Sequence, residues 1–262
     1  MHGRLRRPKR YMKSFIRAGI SAGLLAAVAG CSSAPAEPPV EPPVSQNPVD
    51  PATAGSITGT VMVAGKVAAG DPINMSSDPY CDGQPKLVTA DVVTGSGGGL
   101  QNVFIYVKDG LGTLRFPVPA TPVVLDQKGC QYAPRVLGIQ TGQTLAIHNS
   151  DSTLHNMHAS PEHNQEFNKA LGQQGLNHTH TFSTAEVMVP FKCDVHRWMR
   201  AWVGVLDHPF HAVSAADGSF SLKGLPPGTY TIEAWHEKLG RQTQSVTIGA
   251  NEAQPVAFTF TL

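Results

Sequence analysis

From Ser56 onward the chain is written in short runs of β-branched and aromatic residues, each closed by a turn signal. That pattern leaves room for little but strands. Ile57-Thr58-Gly59-Thr60-Val61-Met62-Val63 is one such run and Val103-Phe104-Ile105-Tyr106-Val107 another; 144–147, 179–182, 187–191, 201–205, 230–234 and 256–260 repeat it. Between them stand Asp109-Gly110, Thr141-Gly142, Asp217-Gly218 and Pro226-Pro227-Gly228, which supply the positive or fixed φ that turns need. Many short strands between turns predict an all-β protein of sandwich type. Only 161–171 suits a helix, and there is no internal repeat. Charged residues are 15% of the chain, against roughly 25% in ordinary soluble domains, which excludes long charged helices and acidic disordered tails. With 41% hydrophobic residues, a packed core is expected.

The formal net charge of +1 gives no reason to expect nucleic acid, but it hides an asymmetry. Residues 1–31 hold seven Lys or Arg and no acid; the remainder holds 13 basic against 19 acidic side chains. A basic start, an apolar run over 20–29 and small residues before Cys31 read as an export signal, too short to span a bilayer as a helix. Val28-Ala29-Gly30-Cys31 resembles a bacterial lipobox, which implies an acylated Cys31 and a protein anchored in the cell envelope, facing the periplasm. Ser32 after the cysteine resembles the outer-membrane pattern more than the inner-membrane one. Residues 34–55 carry seven prolines, so 32–55 is expected to be an extended tether.

Chemistry concentrates in two places. One is Asn149-Ser150-Asp151-Ser152-Thr153-Leu154-His155-Asn156-Met157-His158, the other Cys193-Asp194-Val195-His196-Arg197-Trp198-Met199. The second lies between two apolar runs, so a loop joining two strands is expected there. At C-x-x-H-x-x-M spacing all three donors can turn toward one ion. A histidine from an earlier strand would complete a Cys-His-His set with a weak axial thioether, a combination that selects copper over zinc. Taken singly, each residue has a plainer explanation: Cys193 as a buried thiol or disulfide partner, Met199 and Trp198 as core, His155 as a surface histidine. His148, across its strand from Leu145 and Ile147, reads as structural. His178 and His180 share a strand face and offer a second, weaker metal patch.

These two stretches resemble the cupredoxin family, in particular its amicyanin-like and plastocyanin-like blue copper proteins, over roughly residues 120–206. His155-Asn156-Met157-His158 matches the amicyanin-like H-N-x-H pattern. The resemblance implies a Greek-key β-sandwich holding one type 1 copper, with His155, Cys193, His196 and Met199 as ligands. It also implies that Asn156 ties the two ligand loops together, that His158 is not a ligand, and that His196 is the ligand nearest solvent and the electron's exit. Arg197 stands where amicyanins commonly have proline, and 162–176 is an insertion that would cover the site or extend a strand. With Cys31 lipidated and Cys193 on copper, Cys81 and Cys130 remain to form a disulfide, which an oxidising compartment permits.

Asp217-Gly218-Ser219-Phe220-Ser221-Leu222-Lys223-Gly224-Leu225-Pro226-Pro227-Gly228-Thr229-Tyr230 is similar to the carboxypeptidase regulatory-like, transthyretin-like β-sandwich, which implies a structural module and no peptidase. The opening strands of that family are missing before residue 210 but present near Gly59-Thr60-Val61 and 102–107. Hence the expected order is a signal at 1–31, a tether at 32–55, N-terminal strands at 56–119, a cupredoxin at 120–206 and the second sandwich at 207–262. Two arrangements stay open: 56–119 and 207–262 form one sandwich around the cupredoxin, or the C-terminal module is independent. The functional expectation is an electron-transfer lipoprotein, not an enzyme, whose partner is a redox protein of the envelope such as a cytochrome or dehydrogenase. The alternatives are a copper chaperone or storage lipoprotein, or a structural or carbohydrate-associated module with a degenerate copper site.

Overall fold

The computed structural model describes residues 47–262; the expected export signal with Cys31 and the expected tether up to residue 46 lie outside them. Two strands come first, β1 (Gly55–Ala64) and β2 (Phe104–Asp109). Nine follow: β3 (Val123–Gln127), β4 (Tyr132–Ala133), β5 (Val136–Gln140), β6 (Thr144–Asn149), β7 (His155–Ala159), β8 (Phe167–Leu171), β9 (Asn177–Thr181), β10 (Glu186–Lys192) and β11 (Arg200–Leu206). The chain closes with β12 (His211–Val213), β13 (Ser219–Leu225), β14 (Gly228–His236), β15 (Gly240–Ile248) and β16 (Ala253–Thr261). One turn of helix, α1 (Pro79–Asp82), interrupts the long β1–β2 connection. Among the described residues no helix is long and apolar enough to cross a membrane.

β3–β11 make two sheets, β5-β11-β10-β7-β8 and β4-β3-β6-β9. β3 runs parallel to β6, and β5 to β11, because the chain alternates between the sheets instead of forming successive hairpins. Alternating inward residues such as Leu125, Ile139, Ile147, Phe191 and Val203 fill the space between them. The expected helix at 161–171 is instead β8, paired with β7 from His155↔Leu171 to Ala159↔Phe167. Phe167 and Leu171 fit either a helical turn or one face of a strand, and the free edge of β7 decides the matter.

A second sandwich consists of β13-β1-β16 facing β12-β2-β14-β15. β1 pairs with β13 on one side and, in parallel over 56–64, with β16 on the other. β2 likewise lies between β12 and β14. The earliest strands are therefore the central ones, and Ile57, Val61 and Ile105 share a core with Phe220, Ile232 and Phe258. Proline-rich sequence gives way to this body before residue 55: Val49 packs against that core and Thr53 accepts a bond from the Asn251 N–H, 3.1 Å.

Two glycines create the seam between the sandwiches. Gly138 of β5 is the partner of Gly204 of β11, which leaves a flat spot in the sheet. The Phe104 ring lies over Gly204 and the His211 ring over Gly138, so close that a Cβ at either glycine would sit 2.4 or 2.3 Å from the ring. Those two rings stack at 5.6 Å. Around them cluster Tyr106, Val136, Leu206, Trp235 and Met188; Met188 (φ 75°) occupies a bulge in β10 and belongs to the seam, while its neighbour Val189 stays in the inner core.

Candidate metal centre

Four elements meet at one end of the inner sandwich: the start of β7, the β10–β11 loop, the turn before β4, and the α1 segment. β7 delivers His155; the loop delivers Cys193, His196 and Met199. That loop is closed on itself, with the Cys193 N–H donating to the Met199 carbonyl (3.2 Å) and the Met199 N–H to the His196 carbonyl (2.9 Å). The His196 N–H points at Cys193 Sγ, 3.4 Å. All four side chains are buried, His155 at 0% and the other three at 1% exposure. Nδ1 of His155 and Nδ1 of His196 approach to 2.9 Å, and Cys193 Sγ is 3.9 Å from the latter. The three donors of His155, Cys193 and His196 lie within 4.8 Å of one another. Met199 is buried in the same core as Cys193.

The far nitrogens of both rings face carboxylates. His155 Nε2 is 2.9 Å from Asp151 Oδ2, and His196 Nε2 is 3.1 Å from Asp78 Oδ2. A carboxylate there holds a proton on Nε2 and leaves Nδ1 as the ring atom that faces the cluster. Each carboxylate is itself held. Asp151 accepts from the Gly129 and Cys130 N–H groups (2.7 and 2.8 Å) and from the Tyr80 hydroxyl (3.1 Å). Asp78 caps α1, accepting from the Tyr80 and Cys81 N–H groups, and takes the Thr153 hydroxyl at 2.6 Å on its other oxygen.

Charge is matched to this geometry. Burial pushes the Cys193 thiol up, but hydrogen bonds from His155 and His196 outweigh it and hold the group at about 6. Burial pushes His155 down, and Asp151 with Cys193 overcomes this and raises it to about 9. Without metal the pair is thus thiolate and imidazolium at neutral pH, and a cation entering the site displaces a proton from His155.

Asn156 links β7 to the β10–β11 loop: its amide oxygen accepts from the Asp194 N–H (2.7 Å) and its amide nitrogen donates to Asn168 (2.7 Å). His158 lies outside the cluster, between Glu166 and Asp194. The 162–176 insertion supplies β8, which extends the sheet. His178 and His180 share one face of β9, their rings 6.0 and 4.1 Å from that of Phe167, and among the described residues no third metal-binding side chain joins them. His148 is half-buried on the face opposite Leu145 and Ile147.

His196 does not reach solvent. The α1 segment covers its outer edge, Cys81 Sγ lies 3.8 Å from Nε2, and Cys81 is bonded to Cys130 with Cα atoms 5.8 Å apart. Trp198 completes the lid, its ring 5.1 Å from His196 and its Nε1 donating to the Cys130 carbonyl. Sequence reasoning missed this cover and both carboxylates. Asp78-Pro79 is readable as a helix start, a capping residue followed by proline at the first helical position, but nothing local says that its second oxygen meets His196.

Two imidazole nitrogens and a thiolate converging in a buried, pre-ordered pocket, with a thioether in the same core, fit a copper ion better than a hard cation. Residues 201–262 match the carboxypeptidase regulatory-like domain. That stretch begins at β11 and lacks β1 and β2. Among solved structures, the chain is similar to a copper-containing nitrite reductase from Thermus scotoductus SA-01 (20% identity, TM-score 0.32), over 38% of this chain and 26% of that one. It is also similar to an amicyanin variant in its Cu(I) form (23%, TM-score 0.29; 32% and 81%) and to a purple cupredoxin from Nitrosopumilus maritimus (23%, TM-score 0.28; 32% and 98%). The chain thus spans about a quarter of the reductase's length and most of the two smaller proteins. No curated protein matches it.

Proposed function

We propose that this protein holds one copper ion as a type 1 centre and carries single electrons in the bacterial cell envelope, tethered there through an acylated Cys31. The observation that carries the reading is the buried convergence of His155 Nδ1, His196 Nδ1 and Cys193 Sγ within 4.8 Å. Those three atoms and the Met199 thioether would hold the ion, which supplies the Cu(II)/Cu(I) couple. The chain's own contribution is rigidity. Asp151 and Asp78 hold the two rings, Asn156 locks the loops, and the self-bonded Cys193–Met199 loop fixes thiolate and thioether. A site that moves little between oxidation states exchanges electrons with a low reorganisation cost. In this reading the protein is a carrier and not an enzyme, and its partner is another redox protein of the envelope.

An absorption spectrum of the copper-loaded, oxidised protein tests it. The expected form is intensely blue or green, bleached reversibly by ascorbate, and colourless after Cys193→Ser, since an alcohol oxygen cannot give the thiolate charge-transfer band. Bound copper without colour, or ready loss of Cu(I) to a competing chelator, would reject the carrier reading in favour of a chaperone. Mass spectrometry of membrane-extracted protein should find acyl chains on Cys31; an unmodified mature N-terminus removes the anchor.

A further inference from the structure

If electrons pass through this site, they need a surface, and the His196 edge is closed. A groove of about 490 Å³ along β10 and β11 reaches Cys193. Its floor is the outward face of β10 and β11, where Pro190 is paired with Trp202 and Lys192 with Arg200. Arg197, from the ligand loop, stands at its rim. Lys192 reaches only Asp194, at 3.7 Å, and Asp194 is otherwise engaged by His158, Asn156 and Asn168. Arg197 and Arg200 are exposed and form no ion pair among the described residues. Both also border a neighbouring groove, where Arg135 pairs with Glu237 and Asp91 and Lys238 with Asp91. Past residue 31 the chain has an excess of acid, so the two unpaired arginines beside the thiolate, Arg197 and Arg200, are a local excess of positive charge.

We propose that the groove is the docking surface for an acidic face of a redox partner, and that electrons cross beside Cys193 instead of leaving through His196. The inference rests on the electron-carrier reading. Cys193 is 1% exposed, so a small anion in the groove cannot touch the sulfur, whereas a protein surface lying along β10 and β11 contacts the backbone carrying it. The exchange is a one-electron transfer: the reduced, loaded protein loses an electron, the acidic partner gains it, and no bond between heavy atoms forms or breaks. Charge complementarity of this kind acts mainly on encounter rate and orientation.

Two measurements on the full chain test the proposal. The first uses metal-free protein, titrated at low salt with a hexaglutamate peptide and followed by amide NMR. Shifts should centre on 190–202 and disappear in Arg197→Glu/Arg200→Glu, while Arg197→Lys/Arg200→Lys retains them. Shifts centred on 78–88, or unchanged by charge reversal, overturn it. The second follows oxidation of the Cu(I)-loaded protein by hexacyanoferrate(III) and by the cation tris(phenanthroline)cobalt(III). Charge reversal should slow the anionic oxidant about tenfold or more and speed the cationic one, with the absorption band unchanged. Equal rates in a coloured variant overturn the docking surface alone; a colourless wild type overturns the carrier reading and, with it, this route.

Discussion

Asp151 ties together several groups around the candidate metal centre. One buried carboxylate satisfies two backbone N–H groups at 129 and 130, the Tyr80 hydroxyl and the His155 ring. Asp151→Asn exchanges an acceptor for a donor among groups that all donate, leaving at least one buried donor unpaired. The metal-free protein should lose about 2–3 kcal/mol, read by urea unfolding. Asp78→Asn should lose less, about 1 kcal/mol, because the Asp78 side chain is 16% exposed and water can replace the missing acceptor. Equal losses, or the reverse order, would show that burial does not set these contributions. The contrast with the candidate ligands is instructive. Cys193, His196 and Met199 stand out in the sequence as candidates because donor chemistry belongs to the residue type and the three sit on one short loop. His155 needed the H-N-x-H resemblance to be chosen among eleven histidines. Asp151 and Asp78 were not legible, since an acidic residue in a turn reads as a solvated cap until folding places a histidine against it.

Among elements, the α1 segment is the least expected part. It follows β1, passes over the metal-site end and is clamped by Ile73 N–H to Leu87 carbonyl and Thr89 N–H to Asp71 carbonyl bonds, both 2.9 Å. Its apolar residues Ile73, Met75 and Leu87 form a small core with the Cys81–Cys130 bridge and Trp198. Turn-rich sequence without strand periodicity gives no hint of such a cover, because its fold is set by the surface that it covers. The disulfide joins residues 49 apart in sequence, so Cys81→Ala/Cys130→Ala should cost about 4 kcal/mol by loop-closure entropy. Thermal unfolding of the metal-free variant measures that loss. The same variant should also loosen the lid over His196, seen as faster hydrogen exchange at 78–82. A variant as stable as the wild type, with the lid equally protected, would mean that the small core holds the segment unaided. Strand positions elsewhere were readable wherever β-branched residues alternate. β15 carries no such signal: Gly240-Arg241-Gln242-Thr243-Gln244-Ser245-Val246-Thr247-Ile248 is polar on its outer face, and its pairing with β14 over nine positions decides its state.

At the scale of the whole molecule, one sandwich is threaded through the other. The C-terminal motif spans β13 and the start of β14, but the strands that these pair with, β1 and β2, come from residues 55–64 and 104–109. What the sequence could not disclose is how the two sandwiches meet, because a glycine in a strand does not announce whose ring will lie on it. Gly138 and Gly204 receive His211 and Phe104 there. This seam makes a pH dependence. Burial, with His208 nearby adding to it, holds His211 down at about 4, from an ordinary value of 6.5. Phe104 stacks on the ring and Gly138 lies beneath it. Between pH 6.5 and 4 the unfolded chain binds a proton at this position that the folded chain refuses. Unfolding is therefore favoured as pH falls through that window, and the stability is fully present above 6.5. The shift corresponds to at most about 3 kcal/mol, at 1.36 kcal/mol per unit. Urea unfolding of the metal-free protein at pH 7 and pH 4 should show this loss in the wild type, on top of any from carboxylates. His211→Gln, which keeps a planar polar group over Gly138 but cannot titrate, should be less stable at pH 7 yet lose about 3 kcal/mol less on acidification. If wild type and variant lose the same amount between the two pH values, His211 is protonated as easily in the fold as out of it, and the seam is not the acid-sensitive joint of the molecule.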